Sequence, residues 1–368
     1  MGRYVERVVE DVLAFPAYVA HLGAAIPQAV DSIYLGGGTP SLLPPAELKK
    51  LFSALQREFN VLPSAEVTVE CAPGTLNNET IQTLATLGVN RVSLGVQSFV
   101  DNEAASVARL HTREKTLSDI ERLRAARIAN INVDLIAGLP HQTRESWEYS
   151  LEQAIATGVP HLSVYMLEVD EDSRLGRELI AGGAKYHAHF VPDDDRTAEF
   201  YESACERLSS AGIEQYEISN FARPGYESRH NLKYWTRQPY AGFGVDAHSM
   251  LAAGDGSAES VRCATTDEYD RFLVAPEWRS SNVSREQALE ESFFLGLRMN
   301  QGVDTGRLRG EFGEATKAFD AEISELLAAG LLSRSAGRLG LTARGRLLSN
   351  EVFEKFILAE KAPAGSFS

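Results

Sequence analysis

The stretch DSIYLGGGTPSLL, residues 31–43, runs apolar and then stops in three glycines followed by Thr-Pro. Glycines after a strand let backbone N–H and C=O groups meet a ligand with no Cβ in the way. Gly36, Gly37, Gly38 and Thr39 could therefore hold an amino-acid ammonium or a phosphate, or simply make a tight turn from strand to helix. Glu70 closes VTVECAP, and a carboxylate at such a position can accept both hydroxyls of a ribose, cap a helix or pair with a surface cation. Gln97 in SLGVQSF, Arg109 in VARLH and Asp134 in NVDLIAGLP add an amide, a guanidinium and a second carboxylate at or near other strand ends. Singly, each reads as structural. On one rim, together, they could orient a zwitterionic ligand that carries adenosine.

A second group lies far along the chain. RHNLKYW, residues 229–235, places His230 and Tyr234 at i and i+4 with Trp235 beside them, so on a helix the histidine and tyrosine share a face. Imidazole is a common axial ligand of haem iron and aromatic neighbours suit a porphyrin. On spacing alone, His230 reads as a structural histidine. His111, His141 and His248 stand singly, with no partner at metal-ligand spacing, and read as structural.

The elements that must position these residues follow a βα rhythm. Strands are expected over 31–35, 66–70, 91–96, 131–136 and 161–167, with amphipathic segments near 45–59, 78–87, 112–127 and 143–157. That spacing belongs to a parallel sheet or barrel. Several of the strands read as apolar on both faces, as in a sheet covered by helices. Each reads as ending in a polar or glycine-bearing residue, namely Gly36–Gly38, Glu70, Gln97, Asp134 and Glu168, which a barrel would gather at its C-terminal rim. Residues 3–13 read as a helix with Tyr4, Val5, Val8, Val9 and Val12 on one face, so the series opens without the strand expected before it. The strand at 31–35 is then an expected sheet edge. Residues 172–282 read as mixed, with a helix near 194–211 and the extended run EQYEISNFA. Residues 284–350 read as a separate module of helix, hairpin and helix, in the manner of a winged helix. The expected organisation is a barrel over 1–170, an extension over 171–283, the module over 284–360 and a tail over 361–368.

Composition narrows the function classes. The 368 residues are 44% hydrophobic, enough for a sizeable core, and carry a net charge of −15. Residues 284–368 hold 11 Lys and Arg against 12 Asp and Glu, so even the winged-helix-like module lacks a basic footprint, and no nucleic-acid partner is expected. No apolar stretch has membrane-spanning length and the first residues do not follow a secretory pattern. Cys71, Cys205 and Cys263 are far apart and form no CxxC pair. A reduced, cytoplasmic protein is expected.

Read in order, IYLGGGTPSLL, VECAPGTL, RVSLGVQSF, RLHT, INVDLIAGLP, LSVYMLEV and GFGVDAHSM resemble the radical S-adenosylmethionine (SAM) proteins related to oxygen-independent coproporphyrinogen III oxidase, over about residues 1–350. HNLKY resembles the HNxxY motif of the HemW-type haem chaperones. The resemblance implies an α/β fold, a partial (β/α)6 barrel lacking its first strand, followed by a small C-terminal HemW-type domain that is winged-helix-like. It implies that Gly36, Gly37, Gly38 and Thr39 hold the methionine end of SAM, that Glu70 holds the ribose, and that Gln97, Arg109 and Asp134 complete the SAM site. It implies that His230, Asn231 and Tyr234 bind haem. The implied function is a haem chaperone that hands haem to acceptor proteins such as respiratory haem enzymes, with peripheral membrane contact and self-association left open. A coproporphyrinogen oxidase and a cluster-free scaffold are the alternatives. One departure is large: the family's CxxxCxxC, whose thiolates hold a [4Fe–4S] cluster, is not in this sequence. The motif and the first strand both belong ahead of Met1, which suggests a start placed downstream of them; a natural member without the cluster is the other reading.

Overall fold

The computed structural model describes residues 1–168, 190–254, 259–275 and 277–358; the expected tail and part of the mixed segment lie outside them. The chain divides into two compact units, Met1–Leu13 with Gln28–His230, and Ala14–Pro27 with Asn231–Ser368. It passes between them inside the first helix and again inside the helix that carries the HNLKY motif.

The first unit opens with helix α1 (Gly2–His21), longer than the stripe at 3–13 suggests. Val5, Val8 and Val12 are its buried residues there, and Asp11 is buried against Arg7 one turn earlier. The βα series then runs β1 (Val30–Leu35), α2 (Pro45–Glu58), β2 (Val61–Cys71), α3 (Asn78–Thr86), β3 (Arg91–Gln97), α4 (Asp101–Ser106), α5 (Arg113–Ala125), β4 (Asn130–Ala137), α6 (Arg144–Ala156) and β5 (His161–Met166). From residue 190 onward come α7 (Asp194–Ser210), β6 (Glu214–Glu217), β7 (Asn220–Ala222) and α8 (Arg229–Trp235). Short polar residues start the helices: Asn77, Thr112, Thr143 and Asp193 each accept a backbone N–H of the first turn, which satisfies donors that have no partner within the helix.

The sheet order is β1-β2-β3-β4-β5-β7-β6. The first five strands are parallel, and β7 and β6 continue the sheet antiparallel. Among the described residues β1 is paired on one side only, at the edge.

The expectation of strands apolar on both faces needs correction. Val67, Val69, Val92, Leu94, Ile131, Val133, Leu162 and Val164 make one apolar face. The alternate positions are Glu66, Thr68 and Glu70 on β2, Arg91 and Ser93 on β3, Asn132 and Asp134 on β4, and His161 and Ser163 on β5. Side chains at period two point to opposite faces. Apolar and polar residues of the same strand are therefore on opposite sides, and most of the polar ones are buried as well. The hydrogen bonds of this second face run from strand to strand, from Ser93 and Asn132 to Asp134 and from Asn132 to Ser163. It is a polar interior, lined by a curled sheet.

The second unit has an antiparallel sheet in which Ala24–Ala25 pairs with β8 (His248–Ala253), β8 with β9 (Ser260–Thr265), and β9 with β10 (Trp278–Val283). Its C-terminal part is α9 (Arg285–Leu297), β11 (Val303–Asp304), α10 (Thr305–Phe312), α11 (Asp320–Ala328) and the hairpin β12 (Leu332–Ser335) and β13 (Arg338–Leu341), with β13 central in a three-stranded sheet. Ser284 and Gln287 form a reciprocal cap at the start of α9. Phe293 stacks on Phe356 at 4.8 Å and meets Phe319 edge-on at 5.1 Å, inside an apolar cluster with Leu297, Leu308 and Ile323.

Candidate functional site: the rim and wall of the barrel

The glycine run follows β1 directly, and its backbone is exposed. A Cβ on Gly36 would lie 2.7 Å from Tyr34 Cε1 and 2.8 Å from Glu70 Oε1, closer than carbon can approach. Gly37 has φ +78°, a conformation that L side chains avoid. The run is therefore glycine for two reasons, close approach and backbone handedness. Gly37 N–H donates to Glu70 Oε2 at 3.2 Å, so the turn and the carboxylate at the end of β2 are joined. Thr39 opens the short 3-10 turn Pro40–Leu42 that follows.

From Glu70 the polar groups continue around the rim. Glu70 faces Ser93 in the β2–β3 register, and Ser93 Oγ donates to Asp134 at 3.1 Å. Asp134 is three residues short of the end of β4, not at its end, and it faces inward. Burial pushes its carboxyl up to about 6, against the hydrogen bonds from Ser93, Ser163 and Asn132, and the charge of Glu70 adds to the rise. Gly95 pairs with Asp134, and a Cβ there would lie 3.1 Å from Gln97 Nε2 and 3.9 Å from Arg109 Nη2. The amide and the guanidinium thus converge on one glycine. Gln97 has φ +67°, at the register shift that ends β3, a strained conformation of the kind that clusters at ligand sites. Glu168 lies beyond the end of β5, exposed.

His230 belongs to the first unit, while Asn231 and Tyr234, on the same helix, belong to the second. Glu66 of β2 accepts the backbone N–H of Arg229 at 3.1 Å and of His230 at 3.0 Å, a carboxylate cap on the start of α8. His230 Nδ1 is 3.0 Å from Ser32 Oγ, and its ring stacks on Tyr34 with centroids 5.2 Å apart and planes 26° from parallel. Tyr34 in turn donates its hydroxyl to Glu70 Oε1 at 2.8 Å. In the second unit, Tyr234 meets Tyr240 edge-on at 4.7 Å, and burial, with Tyr240, pushes its phenol up to about 12.

Tyr34, Ser32, Glu66 and His161 are site neighbours that sequence reasoning did not single out. The signal was present in the two-residue alternation of polar positions along β2 and β3. His161 is fully buried, bonded at Nδ1 to Asn132 Oδ1 and at Nε2 to the Tyr216 hydroxyl. Burial and the charge of Arg91 hold it neutral, well below the usual imidazole range.

The three cysteines do not fit an iron–sulfur cluster. Cys71 is buried, and burial pushes its thiol up to about 12, away from the thiolate that a cluster needs. Cys205 and Cys263 lie in different units from one another. Among the described residues no three His, Cys, Asp or Glu side chains gather as metal ligands. No helix there is long and apolar enough to cross a membrane.

Comparison with known proteins decides the family. The radical SAM superfamily profile matches residues 6–154, and the HemN C-terminal domain profile matches residues 283–348. The heme chaperone HemW of Lactococcus lactis is 33% identical over 360 residues, which is 96% of this chain and 89% of that protein. The chain belongs to the HemW family. The heme chaperone HemW of Bacillus subtilis is 35% identical, over 89% of this chain and 85% of its own length, and that of Escherichia coli is 29% identical, over 96% and 89%. The solved structure of coproporphyrinogen III oxidase (HemN) from Escherichia coli superposes with a TM-score of 0.77 at 23% identity, covering 96% of this chain and 82% of that one. The expected fold is thereby established: a radical SAM partial barrel followed by a HemN-type C-terminal domain.

Proposed function

We propose that this HemW family member is a haem chaperone that binds haem at the helix carrying His230, Asn231 and Tyr234, binds SAM at the barrel rim, and passes haem to acceptor proteins such as respiratory haem enzymes. The observation that carries the reading is the placement of His230. A half-buried imidazole is set against the polar wall of the barrel by Ser32, Tyr34 and the cap from Glu66, and neutral imidazole is a ligand for haem iron. The names of the related proteins support haem as the cargo.

The rim fits SAM. Gly36 packs against Tyr34 and Glu70 with no space for a Cβ, and the exposed backbone of Gly36, Gly37 and Gly38, with Thr39, suits the amino-acid end. Glu70 would take the ribose hydroxyls, and Gln97, Arg109 and Asp134 would complete the site. SAM supplies a sulfonium cation there, and Glu70 and Asp134 are the carboxylates placed to balance it. A [4Fe–4S] cluster would require cysteines other than the three in this sequence. Oxidation of coproporphyrinogen, the alternative activity, draws support from the fold alone.

Haem titration followed at the Soret band tests the reading. The protein should give a saturable shift, and His230→Ala should lose most of it. An unchanged titration in His230→Ala would remove the motif from the argument, and conversion of coproporphyrinogen without haem binding would favour the oxidase.

A further inference from the structure

We propose that Tyr34 couples the two ligands, so that SAM at Glu70 tightens the binding of haem at His230. The inference rests on the haem and SAM reading above and adds to it a residue that neither motif contains. Tyr34 lies on β1 between Ser32, which holds His230 Nδ1, and Gly36, which opens the glycine run. Its hydroxyl donates to Glu70 Oε1 at 2.8 Å, its ring stacks on the His230 imidazole at 5.2 Å, and its Cε1 lies 2.7 Å from where a Cβ on Gly36 would be. One side chain therefore touches the ribose carboxylate, the haem-motif histidine and the glycine turn.

The chemistry gives the coupling a direction. Burial, and then the charge of Glu70, keep the Tyr34 phenol protonated, so it is a committed donor to that carboxylate. A ribose brings two further O–H donors to the same group. Glu70 Oε2 already takes the Gly37 N–H, which the turn fixes in place, so the donor free to leave is the tyrosine hydroxyl. Once released, the ring is no longer held against the imidazole face. His230 would hold the haem iron, and a Tyr34 ring held against one face of that imidazole would crowd a haem bound there. Releasing the ring thus favours haem. Because binding free energies are linked, haem must tighten SAM by the same factor.

The test is haem affinity, read at the Soret band, for the wild type, Tyr34→Phe and Glu70→Gln, with and without saturating SAM. In the wild type SAM should tighten haem about fivefold or more. Tyr34→Phe keeps the ring and loses the hydroxyl. It should bind haem without SAM as tightly as the wild type does with SAM, and SAM should then have no further effect. Glu70→Gln weakens the same hydrogen bond from the other end and should also raise haem affinity in the absence of SAM. An equal SAM effect in wild type and Tyr34→Phe, or no SAM effect in a wild type that binds both ligands, overturns the coupling while leaving the chaperone reading intact. A wild type that binds no haem, or no SAM, overturns the reading itself and the coupling with it.

Discussion

In the first unit the inward face of the sheet buries Glu66, Arg91, Asn132 and His161, whereas the module after residue 283 buries Phe293, Phe319 and Phe356 against one another. The two interiors answer to different physics. A buried aromatic cluster stabilises by taking apolar area out of water. A buried polar face stabilises only as far as its hydrogen bonds repay desolvation. The strand network does so for Asn132, Ser163 and His161. It does so incompletely for Arg91, whose Nε and Nη1 have no hydrogen-bond partner among the described residues, and for the Thr68 hydroxyl beside it in the register. The first interior keeps polar groups at a cost in desolvation, whereas the module is an apolar core.

The comparison can be broken at several points. The largest expected effect is all or none: with iron, sulfide and dithionite supplied, this chain should release no 5′-deoxyadenosine from SAM, because its one rim thiol, Cys71, is buried and held protonated. Release above the protein-free control would mean that a cluster site can form from these residues. Next in size, Phe319→Ala should destabilise the second unit by about 3–5 kcal/mol, since the ring is fully buried between two others. Calorimetry should show the loss while SAM affinity at the rim, measured below the melt, stays the same. A fall in both would mean that the module and the barrel rim are not separable.

Gly36→Ala should do the reverse. Its new Cβ meets Tyr34 and Glu70, so SAM affinity by isothermal titration should fall about tenfold, or about 1.4 kcal/mol, with little change in melting temperature. Unchanged affinity would remove the glycine run from the site. The smallest effect concerns Asp134. Its pKa is raised on folding, so the folded state holds a proton that the unfolded state has released, and this residue's contribution to stability falls as pH rises from about 4 to about 6. Asp134→Asn cannot ionise. Its melting temperature relative to the wild type should therefore rise across that window and level off above it. A flat difference would show that Asp134 is more fully solvated than its neighbours Ser93, Asn132 and Ser163 suggest.

The sequence by itself determined the order of elements, the glycine turn and the residues of both motifs. Strands, helices and turns are local patterns, and period two, period 3.6 and runs of glycine are visible in a single chain. The sequence shows polar positions alternating along β2 and β3 but not which face the sheet curls around, which is why several strands read as covered by helices on both faces. Strand pairing alone decided that Glu66, Arg91 and His161 face inward. Pairing also brought Ser32 within 3.0 Å of His230, 198 residues away. Tyr34 reads in the sequence as one more apolar strand residue; its bond to Glu70 and its stack on His230 exist because β1 lies beside β2 and Glu66 of β2 caps the helix that begins at Arg229. Contacts of that kind depend on register between distant segments, and register is a property of the folded sheet.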